Sequence, residues 1–203
     1  MKPAACAVLL AALMAGCSNI PDLKPWSFTK QDEQPPTVED INRNQGLALL
    51  YDLLNSESQV AQIFTIKSAS DPVKAVVNDI QAAAKDGAAM LKARAKADAF
   101  VNLTDTGLPN VEVQTRKRIA WATTGQLLLA SGEQFELDLL LTQTKATNYA
   151  ASLAATLAAA EDDKQHAQKL KDLGDRFSKL QQRVDALLAV RAAEVNDGEK
   201  DSQ

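Results

Sequence analysis

The feature that most constrains the fold is a run of large apolar residues that repeats every three or four positions near the C-terminal end of the 203-residue chain. The run comprises Leu170, Leu173, Phe177, Leu180, Val184 and Leu187. Because an α-helix has about 3.6 residues per turn, this spacing places all these side chains on one helix face. The seam predicts a helix from about Asp162 to Ala193 that packs against other helices, either inside one domain or between two copies.

Two earlier segments show a similar period. The first predicted helix runs from about Asp40, a candidate cap, to Ser68, and a polar stretch at residues 55–58 interrupts it. The second begins at residue 70 or 71 and continues to about residue 100. Pro72 lies in its first turn, where a missing N–H costs nothing. Small residues such as Gly87 in its middle would let a neighbouring helix come close.

A third long helix is predicted from Glu133 to Ala160. Its expected buried stripe comprises Phe135, Leu139, Thr142, Ala146, Tyr149, Leu153 and Leu157. A loop at residues 102–110 and a helical segment from Val111 to Ala130 lie between the second and third helices. Ser131-Gly132 is expected to end this segment, because glycine interrupts helices. Four main helices with this long crossover predict an all-α fold, an antiparallel four-helix bundle.

The charge balance argues against nucleic acid as a partner. The chain has 22 basic and 26 acidic residues and a formal net charge of -4, whereas phosphate binding needs a basic stripe. The basic triplet Arg116-Lys117-Arg118 could contact phosphate or acidic lipid, but a solvated helix face is the ordinary explanation for it.

The N-terminal stretch predicts export and a lipid anchor. Lys2 precedes an apolar run at residues 4–14, which is too short to span a membrane but has the length of a signal-peptide core. The sequence Leu13-Met14-Ala15-Gly16-Cys17 that follows resembles the lipobox of bacterial lipoproteins, with Met14 where Leu is commonest. The resemblance implies cleavage before Cys17 and acylation of its thiol, with palmitate among the chains, each buried methylene contributing about 0.8 kcal/mol.

This interpretation of the sequence divides the chain into four parts. Residues 1–16 are the signal peptide, residues 17–43 an acylated Cys and Pro-rich tether, residues 44–192 the helical bundle, and residues 193–203 a polar tail. Ser18 after the Cys implies, by the same resemblance, the outer membrane and a domain that faces the periplasm. Cys6 would leave with the leader, so Cys17 would remain as the one cysteine and the domain would fold without a disulfide.

Two stretches carry a second resemblance. The sequence from Ser70 to Ala75 before an Ala-rich helix, and Leu108-Pro109 followed by Ser131-Gly132 and Phe135-Glu136, resemble ferritin-like exported bacterial proteins of an uncharacterised family. The resemblance implies a four-helix fold related to that of the di-iron carboxylate proteins. Where that family commonly carries an Asp-His pair, this chain has residues 82–84, all Ala, and it has Thr147 near the place of a further His. No metal ligand is therefore carried over.

The residues themselves also offer little chemistry. A di-iron bundle site needs several Glu residues and two Glu-x-x-His motifs, whereas this chain has one histidine, His166. Asp163 and His166 share a helix face and would make a minimal metal-ligand pair, but a solvent-exposed His near a helix N-terminus is the more ordinary interpretation. No Ser-His-Asp set, P-loop, G-x-G-x-x-G or C-x-x-C motif occurs. We therefore expect no enzyme activity, no catalytic residue, no cofactor and no metal.

Four carboxylates lie near the apolar stripes: Glu57, Glu133, Glu136 and Asp138. They are expected to pair across helices with Lys or Arg, or to lie at the edge of the core. The leading functional hypothesis is a lipid-anchored, non-catalytic interaction module of the cell envelope. Its partner, apart from membrane lipid at Cys17, would be another envelope protein or a small apolar ligand between helices. The alternative is a ferritin-like domain that keeps a metal-binding or stress-related role.

Overall fold

The computed structural model describes residues 35–200, with side chains as far as residue 193. This part of the chain folds into five α-helices and one short 3₁₀ helix, with no strand between residues 35 and 200, which confirms the all-α prediction. The elements are α1 (Val38–Glu57), the 3₁₀ helix (Val60–Thr65), α2 (Asp71–Ala97), α3 (Asn110–Leu129), α4 (Gly132–Ala159) and α5 (Lys164–Lys200). The predicted signal peptide, Cys17 and the tether up to residue 34 lie outside the described residues.

One apolar core lies between α1, α2, α4 and α5. α4 and α5 pack against each other along most of their length, α1 packs on α2 and α4, and α2 also packs on α5. The predicted seam of α5 faces this core. Its residues Leu170, Leu173, Phe177, Leu180 and Val184 are buried and Leu187 is half-buried. The seam is therefore internal packing, not a surface between two copies.

Gly87 shows how closely the helices approach. A Cβ atom at this position would lie 2.9 Å from Leu54 Cδ1 of α1 and 3.0 Å from Leu173 Cδ1 of α5. Any side chain there would force its neighbours apart, because packed interiors have no spare room. The prediction that small residues in the second helix admit close neighbours is confirmed.

α1 differs from its prediction at both ends. Thr37, not Asp40, is the N-cap, and the two form a capping box in which the Asp40 N–H donates to Thr37 Oγ1 at 3.1 Å and the Thr37 N–H donates to Asp40 Oδ2 at 3.0 Å. The helix ends at Glu57 and does not continue to Ser68. The hydroxyl of Ser58 donates to the carbonyl of Asn55 at 2.7 Å, and such local bonds compete with the helical ladder.

The buried face of α4 is rotated from the predicted stripe. Phe135, Leu139 and Leu157 are buried as expected, but Thr142 is half-buried and Tyr149 is exposed. The remaining buried positions are Glu136, Leu140, Gln143, Thr147, Ala150, Ala151 and Ala154. The prediction was wrong here because α4 is rich in small residues and because its buried Thr147 is satisfied locally, its hydroxyl donating to the carbonyl of Gln143 at 2.7 Å.

The remaining boundaries follow the sequence with small changes. α2 begins after Ser70 with Pro72 in its first turn, as predicted, but ends at Ala97 and not near residue 100. α5 extends to Lys200, past the predicted end at Ala193. The break at Gly132 is confirmed, since its φ of 57° is a left-handed conformation that favours glycine. Within residues 35–200, no helix combines the length and hydropathy that crossing a membrane requires.

Candidate ligand-binding groove beneath α3

α3 is attached to the domain far more loosely than the other helices. Leu127 is the one residue of α3, a helix described over its full length, that is buried. Large apolar side chains elsewhere on the helix are open to solvent, with Trp121 79% and Leu129 88% exposed. The apolar residues of α3 are spread around its circumference, so no single face can bury them together.

The C-terminal end of α3 is held more firmly than its N-terminal end. α3 follows Pro109 without a side-chain cap, as the described residues show. At its other end, Lys67 Nζ donates a hydrogen bond of 2.7 Å to the carbonyl of Ala130. The left-handed Gly132 then turns the chain into α4. α3 is thus tied to the rest of the domain at its C-terminal end, and it borders a groove.

The groove has a volume of about 770 Å³ and lies between α3, α4 and the segment that includes the end of α1 and the 3₁₀ helix. Most of its lining is apolar. Val60, Ile63 and Ile66 come from the 3₁₀ region, Ile119, Leu127 and Leu128 from α3, and Leu139 from α4. Pockets of this size and character commonly hold small molecules, with a few polar groups that orient the ligand.

Two of the polar side chains that line this groove come from different core helices: Glu57 at the end of α1 and Gln143 in the middle of α4. The other polar or charged lining residues are Ser56, Gln59, Gln62, Arg116, Thr123, Thr124 and Thr142. Glu57 Oε2 and Gln143 Oε1 are buried and have no hydrogen-bond partner among the described residues. Unpartnered buried polar atoms are uncommon in native proteins and call for an explanation. The groove therefore offers two oxygen atoms that are free to bond a ligand, and both accept hydrogen bonds once Glu57 is ionised.

The environment of Glu57 favours its neutral form. Burial raises the pKa of the Glu57 carboxyl above its usual range, and a side-chain hydrogen bond with Gln143 opposes the rise without cancelling it. No ion pair joins Glu57 to a cation within residues 35–193. Of the four carboxylates identified in the sequence, Glu57 is the one that has a buried oxygen without a hydrogen-bond partner among the described residues.

Arg116 also lines the groove, from α3. Its Nε donates a 2.8 Å hydrogen bond to Glu112 Oε1 one turn earlier, and this contact is the main cause that raises the pKa of Arg116 further. About half of its side chain is exposed, as is that of Glu112. The guanidinium charge is thus matched on α3 itself. Lys117 and Arg118 are exposed, as expected for a solvated helix face.

A second groove, of about 530 Å³, borders α3 and α4. Leu53 of α1, Asp138, Lys145 and Tyr149 of α4, and Ile119 of α3 contribute to it. Its acidic residue Asp138 accepts a hydrogen bond of 2.8 Å from Gln134 Nε2 and is half-buried. This groove lacks a buried, unpartnered acceptor of the kind found at Glu57, as far as the described residues go.

His166 is not the solvent-exposed histidine that its sequence context suggested. Its residue surface is 6% exposed, and its Nδ1 lies 3.5 Å from Glu161 Oε2. Burial, helped by the nearby Arg94, lowers the pKa of His166, although Glu161 and Asp163 act in the opposite direction. The prediction was wrong because Glu161, in the connection between α4 and α5, lies beside the imidazole and also 3.8 Å from Arg94 near the end of α2.

Asp163 does not act together with the His166 ring. Its Oδ1 accepts the backbone N–H groups of Gln165 at 2.9 Å and His166 at 3.2 Å, so it caps the start of α5. Its Oδ2 lies 3.4 Å from Arg94 Nη1. Within the residues that the structure describes, no group of three or more His, Cys, Asp or Glu side chains is arranged to hold a metal ion.

Glu136 is the clearest case of the predicted pairing across helices. Its Oε2 lies 2.8 Å from Arg191 Nη2 of α5 and accepts a 2.9 Å hydrogen bond from Ser70 Oγ. Its Oε1 accepts the backbone N–H of Ser70 at 2.5 Å. Glu133 by contrast is exposed at the start of α4. The four carboxylates therefore do not form one site.

The pair Glu57 and Gln143 was only half anticipated, since Glu57 was noted and Gln143 was not. The signal is present in the spacing. Leu47, Leu50 and Leu54 step three and four residues along α1, and Glu57 follows at the next three-residue step. Gln143 likewise lies four residues after Leu139. A polar residue at a seam position is a sign of a buried polar contact, but the spacing does not say which two meet.

Comparison of the chain with family models, curated proteins and solved structures finds no significant match.

Proposed function

We propose that this protein is a lipid-anchored, periplasm-facing module of the bacterial outer membrane that binds a small amphipathic molecule in the groove beneath α3, without catalysis. The observation that supports the binding role is the groove, an apolar space of about 770 Å³ that two buried, unpartnered oxygen atoms border. The size suits a small ligand, and the contrast of apolar walls with a few acceptors suits an amphipathic one.

The loose attachment of α3 supports the same role. A helix with one buried residue can move away from the body at low free-energy cost, because few apolar contacts are lost when it opens. The core helices α1, α2, α4 and α5 keep their own packing when α3 moves. A ligand could therefore enter without disturbing the folded body.

The remaining parts of the proposal come from the sequence. The lipobox-like stretch that ends in Cys17 supports acylation and membrane attachment. A ferritin-like four-helix bundle is proposed because α1, α2, α4 and α5 pack together and α3 lies in the long connection between α2 and α4. Of the two kinds of partner expected, the groove favours a small ligand over another protein.

The binding role is tested by filling the groove. Ala120 lines it from α3, so Ala120→Trp adds a large side chain to the ligand space. Ala122 is exposed on the same helix and borders neither groove, which makes Ala122→Trp a matched control. Each protein is purified from envelopes and extracted with organic solvent, and the extract is analysed by mass spectrometry.

We expect a small amphipathic compound to accompany the wild type and Ala122→Trp, and to be lost or strongly depleted with Ala120→Trp. If the three extracts carry the same compounds in the same amounts, the groove is not the binding site and this proposal fails.

The anchor is tested separately. Cys17→Ser removes the thiol to which lipid would be attached, so the protein should move from the membrane fraction to the soluble periplasmic fraction. A Ser18→Ala variant keeps the thiol and serves as the control. Unchanged membrane association of Cys17→Ser, measured by fractionation and immunoblotting, would contradict lipid attachment at this residue.

A further inference from the structure

The chemistry of the groove narrows the class of ligand. Glu57 Oε2 and Gln143 Oε1 are both oxygens that accept hydrogen bonds, and neither has a donor among the described residues. They come from two helices, α1 and α4, that pack against each other. A ligand that satisfies both atoms must bring at least two N–H or O–H donors on one small head group.

The charged groups around Glu57 also favour a cation. The 3₁₀ helix at residues 60–65 contains no charged residue. On α3 the nearest basic residue of the groove is Arg116, which is paired with Glu112. On α4, Asp138 and Lys145 belong to the second groove. The carboxyl of Glu57 therefore has no cation of its own in the part of the chain that the structure describes.

We propose that the groove selects molecules with a primary ammonium group on an apolar body, the ammonium being held by Glu57 and Gln143 and the apolar body by the walls beneath α3. This inference depends on the proposed function, because it names the ligand class of the same groove. A primary ammonium carries three N–H donors and a positive charge. It can therefore satisfy both acceptors and stabilise the ionised Glu57 at once.

Other head groups fit less well. A quaternary ammonium has charge but no N–H donor, so both oxygens stay unpartnered. An alcohol has one O–H donor and no charge. A carboxylate brings only acceptors, and its negative charge is unfavourable beside an ionised Glu57. Amines, alcohols, carboxylates and quaternary ammonium ions on one alkyl chain therefore form a graded set of probes.

Binding should release a proton. In the free protein burial favours the neutral Glu57, whereas an ammonium favours the carboxylate, so the ligand and the proton compete for the same group. The affinity for an ammonium should then rise with pH, as long as the amine itself stays protonated below its pKa of about 10. A ligand without charge should show no such dependence.

The two acceptor atoms are shielded from solvent, so the groove must open before a ligand reaches them. α3 is the wall that moves at the lowest free-energy cost, because it buries one residue. Leu127 is the buried residue of α3, and it lines the groove. Movement of α3 about its C-terminal end would expose the oxygens while the core stays closed. The exposed Ile119 and Leu128 would then close over the apolar body of the ligand.

The test uses calorimetric titration of the full chain that carries Cys17→Ser, so that no acyl chain or detergent competes for the probes. The probes are n-octylamine, octyltrimethylammonium, 1-octanol and octanoate. We expect n-octylamine to bind about ten-fold more tightly than the other three probes near neutral pH, because a well-placed charged hydrogen bond contributes about this factor to affinity. Its affinity should increase from about pH 5.5 to about pH 8, by at most about ten-fold per pH unit for one proton released.

Two variants of the binding residues and one control complete the design. Glu57→Gln should lower the n-octylamine affinity about ten-fold and remove its pH dependence, because the carboxylate is lost. Gln143→Leu should lower the affinity but keep the pH dependence. Glu133→Gln alters an exposed carboxylate of α4 and should change neither the n-octylamine affinity nor its pH dependence. Circular dichroism melts show whether each variant is folded.

The outcomes separate this inference from the proposed function. If all four probes bind equally well and Ala120→Trp blocks them, the groove binds ligands but does not select an ammonium, and the inference fails alone. Tighter binding of octanoate than of n-octylamine leads to the same conclusion. If no probe binds and Ala120→Trp has no effect in the extraction experiment, both fail.

Discussion

Two buried carboxyl groups on facing helices of this domain have opposite surroundings. Glu136, at the start of α4, accepts hydrogen bonds from the backbone and the hydroxyl of Ser70 and pairs with Arg191 at 2.8 Å. Glu57, at the end of α1, is half-buried as a residue, but its Oε2 atom is buried without a partner among the described residues, and burial raises the pKa of its carboxyl. The first group joins three helices, whereas the second borders a groove.

The difference separates a structural carboxylate from one that we propose binds a ligand. A buried charge that is fully paired contributes to a unique arrangement of helices, and its partners leave no acceptor for a ligand. A buried carboxyl with an unpartnered oxygen costs stability in the folded state, which a ligand that supplies donors can offset. Burial alone does not distinguish the two residues; the partners do.

The largest expected effect comes from breaking the paired group. Glu136→Ala leaves Arg191 and Ser70 without their shared acceptor, and removal of one partner of a buried pair typically costs about 3–5 kcal/mol. Because Arg191 is partly exposed, we expect the lower part of this range in urea denaturation followed by circular dichroism. Glu133→Ala is the matched control on the same helix. A loss below about 1 kcal/mol would show that the cluster around Glu136 is not a structural one.

Glu57→Gln, in contrast to Glu136→Ala, should stabilise the folded protein above the usual carboxyl pKa range. The folded pKa of Glu57 is raised, so the native state binds more protons than the unfolded chain, and wild-type stability falls as pH rises above the usual carboxyl range. The amide cannot ionise and avoids this loss. In the absence of ligand, the free energy of unfolding of the variant should therefore exceed that of the wild type by an amount that grows with pH, by at most about 1.4 kcal/mol per pH unit.

Urea denaturation of both proteins at a series of pH values between about 4 and 8 measures that difference. Parallel curves for the wild type and Glu57→Gln would mean that Glu57 is ionised in the folded protein, and the contrast with Glu136 would then be lost.

The smallest effect is expected at His166, where the sign of the pH dependence reverses. Burial lowers the folded pKa of His166, so the unfolded chain binds a proton first as pH falls, and stability decreases below about pH 6.5. Arg94 from α2 and Lys169 strengthen this effect, while Glu161 and Asp163 weaken it. His166→Gln should flatten the stability curve on the acid side of neutrality. A variant as acid-sensitive as the wild type would place the sensitivity elsewhere.

Much of the architecture could be predicted from local pattern. Spacing, capping and glycine rules act over a few residues, and they account for the seam of α5, the start of α2 after Ser70, the helical segment between α2 and α4, and the break at Gly132. The errors occurred where tertiary contacts override local preference. His166 is buried beside Glu161 of the connection between α4 and α5, and the buried face of α4 is rotated because its small residues allow several faces to pack.

The candidate site was predicted only in part, for the same reason. Glu57 could be noted as a carboxyl near an apolar stripe, but its lack of a cation depends on where Arg116 and the other charges lie in space. Gln143 lies 86 positions from Glu57, and nothing in the local pattern of either residue indicates that they meet.

The sequence by itself determined an all-α domain with a continuous apolar seam, because helical period and capping are local properties of the chain. It also carries the lipobox-like stretch at Cys17, which remains a prediction about attachment. The tertiary structure alone decided that α3 stands over a groove and that Glu57 and Gln143 share it. The groove depends on how α1, α3 and α4 pack, and packing is set by long-range contacts that no short stretch of sequence contains.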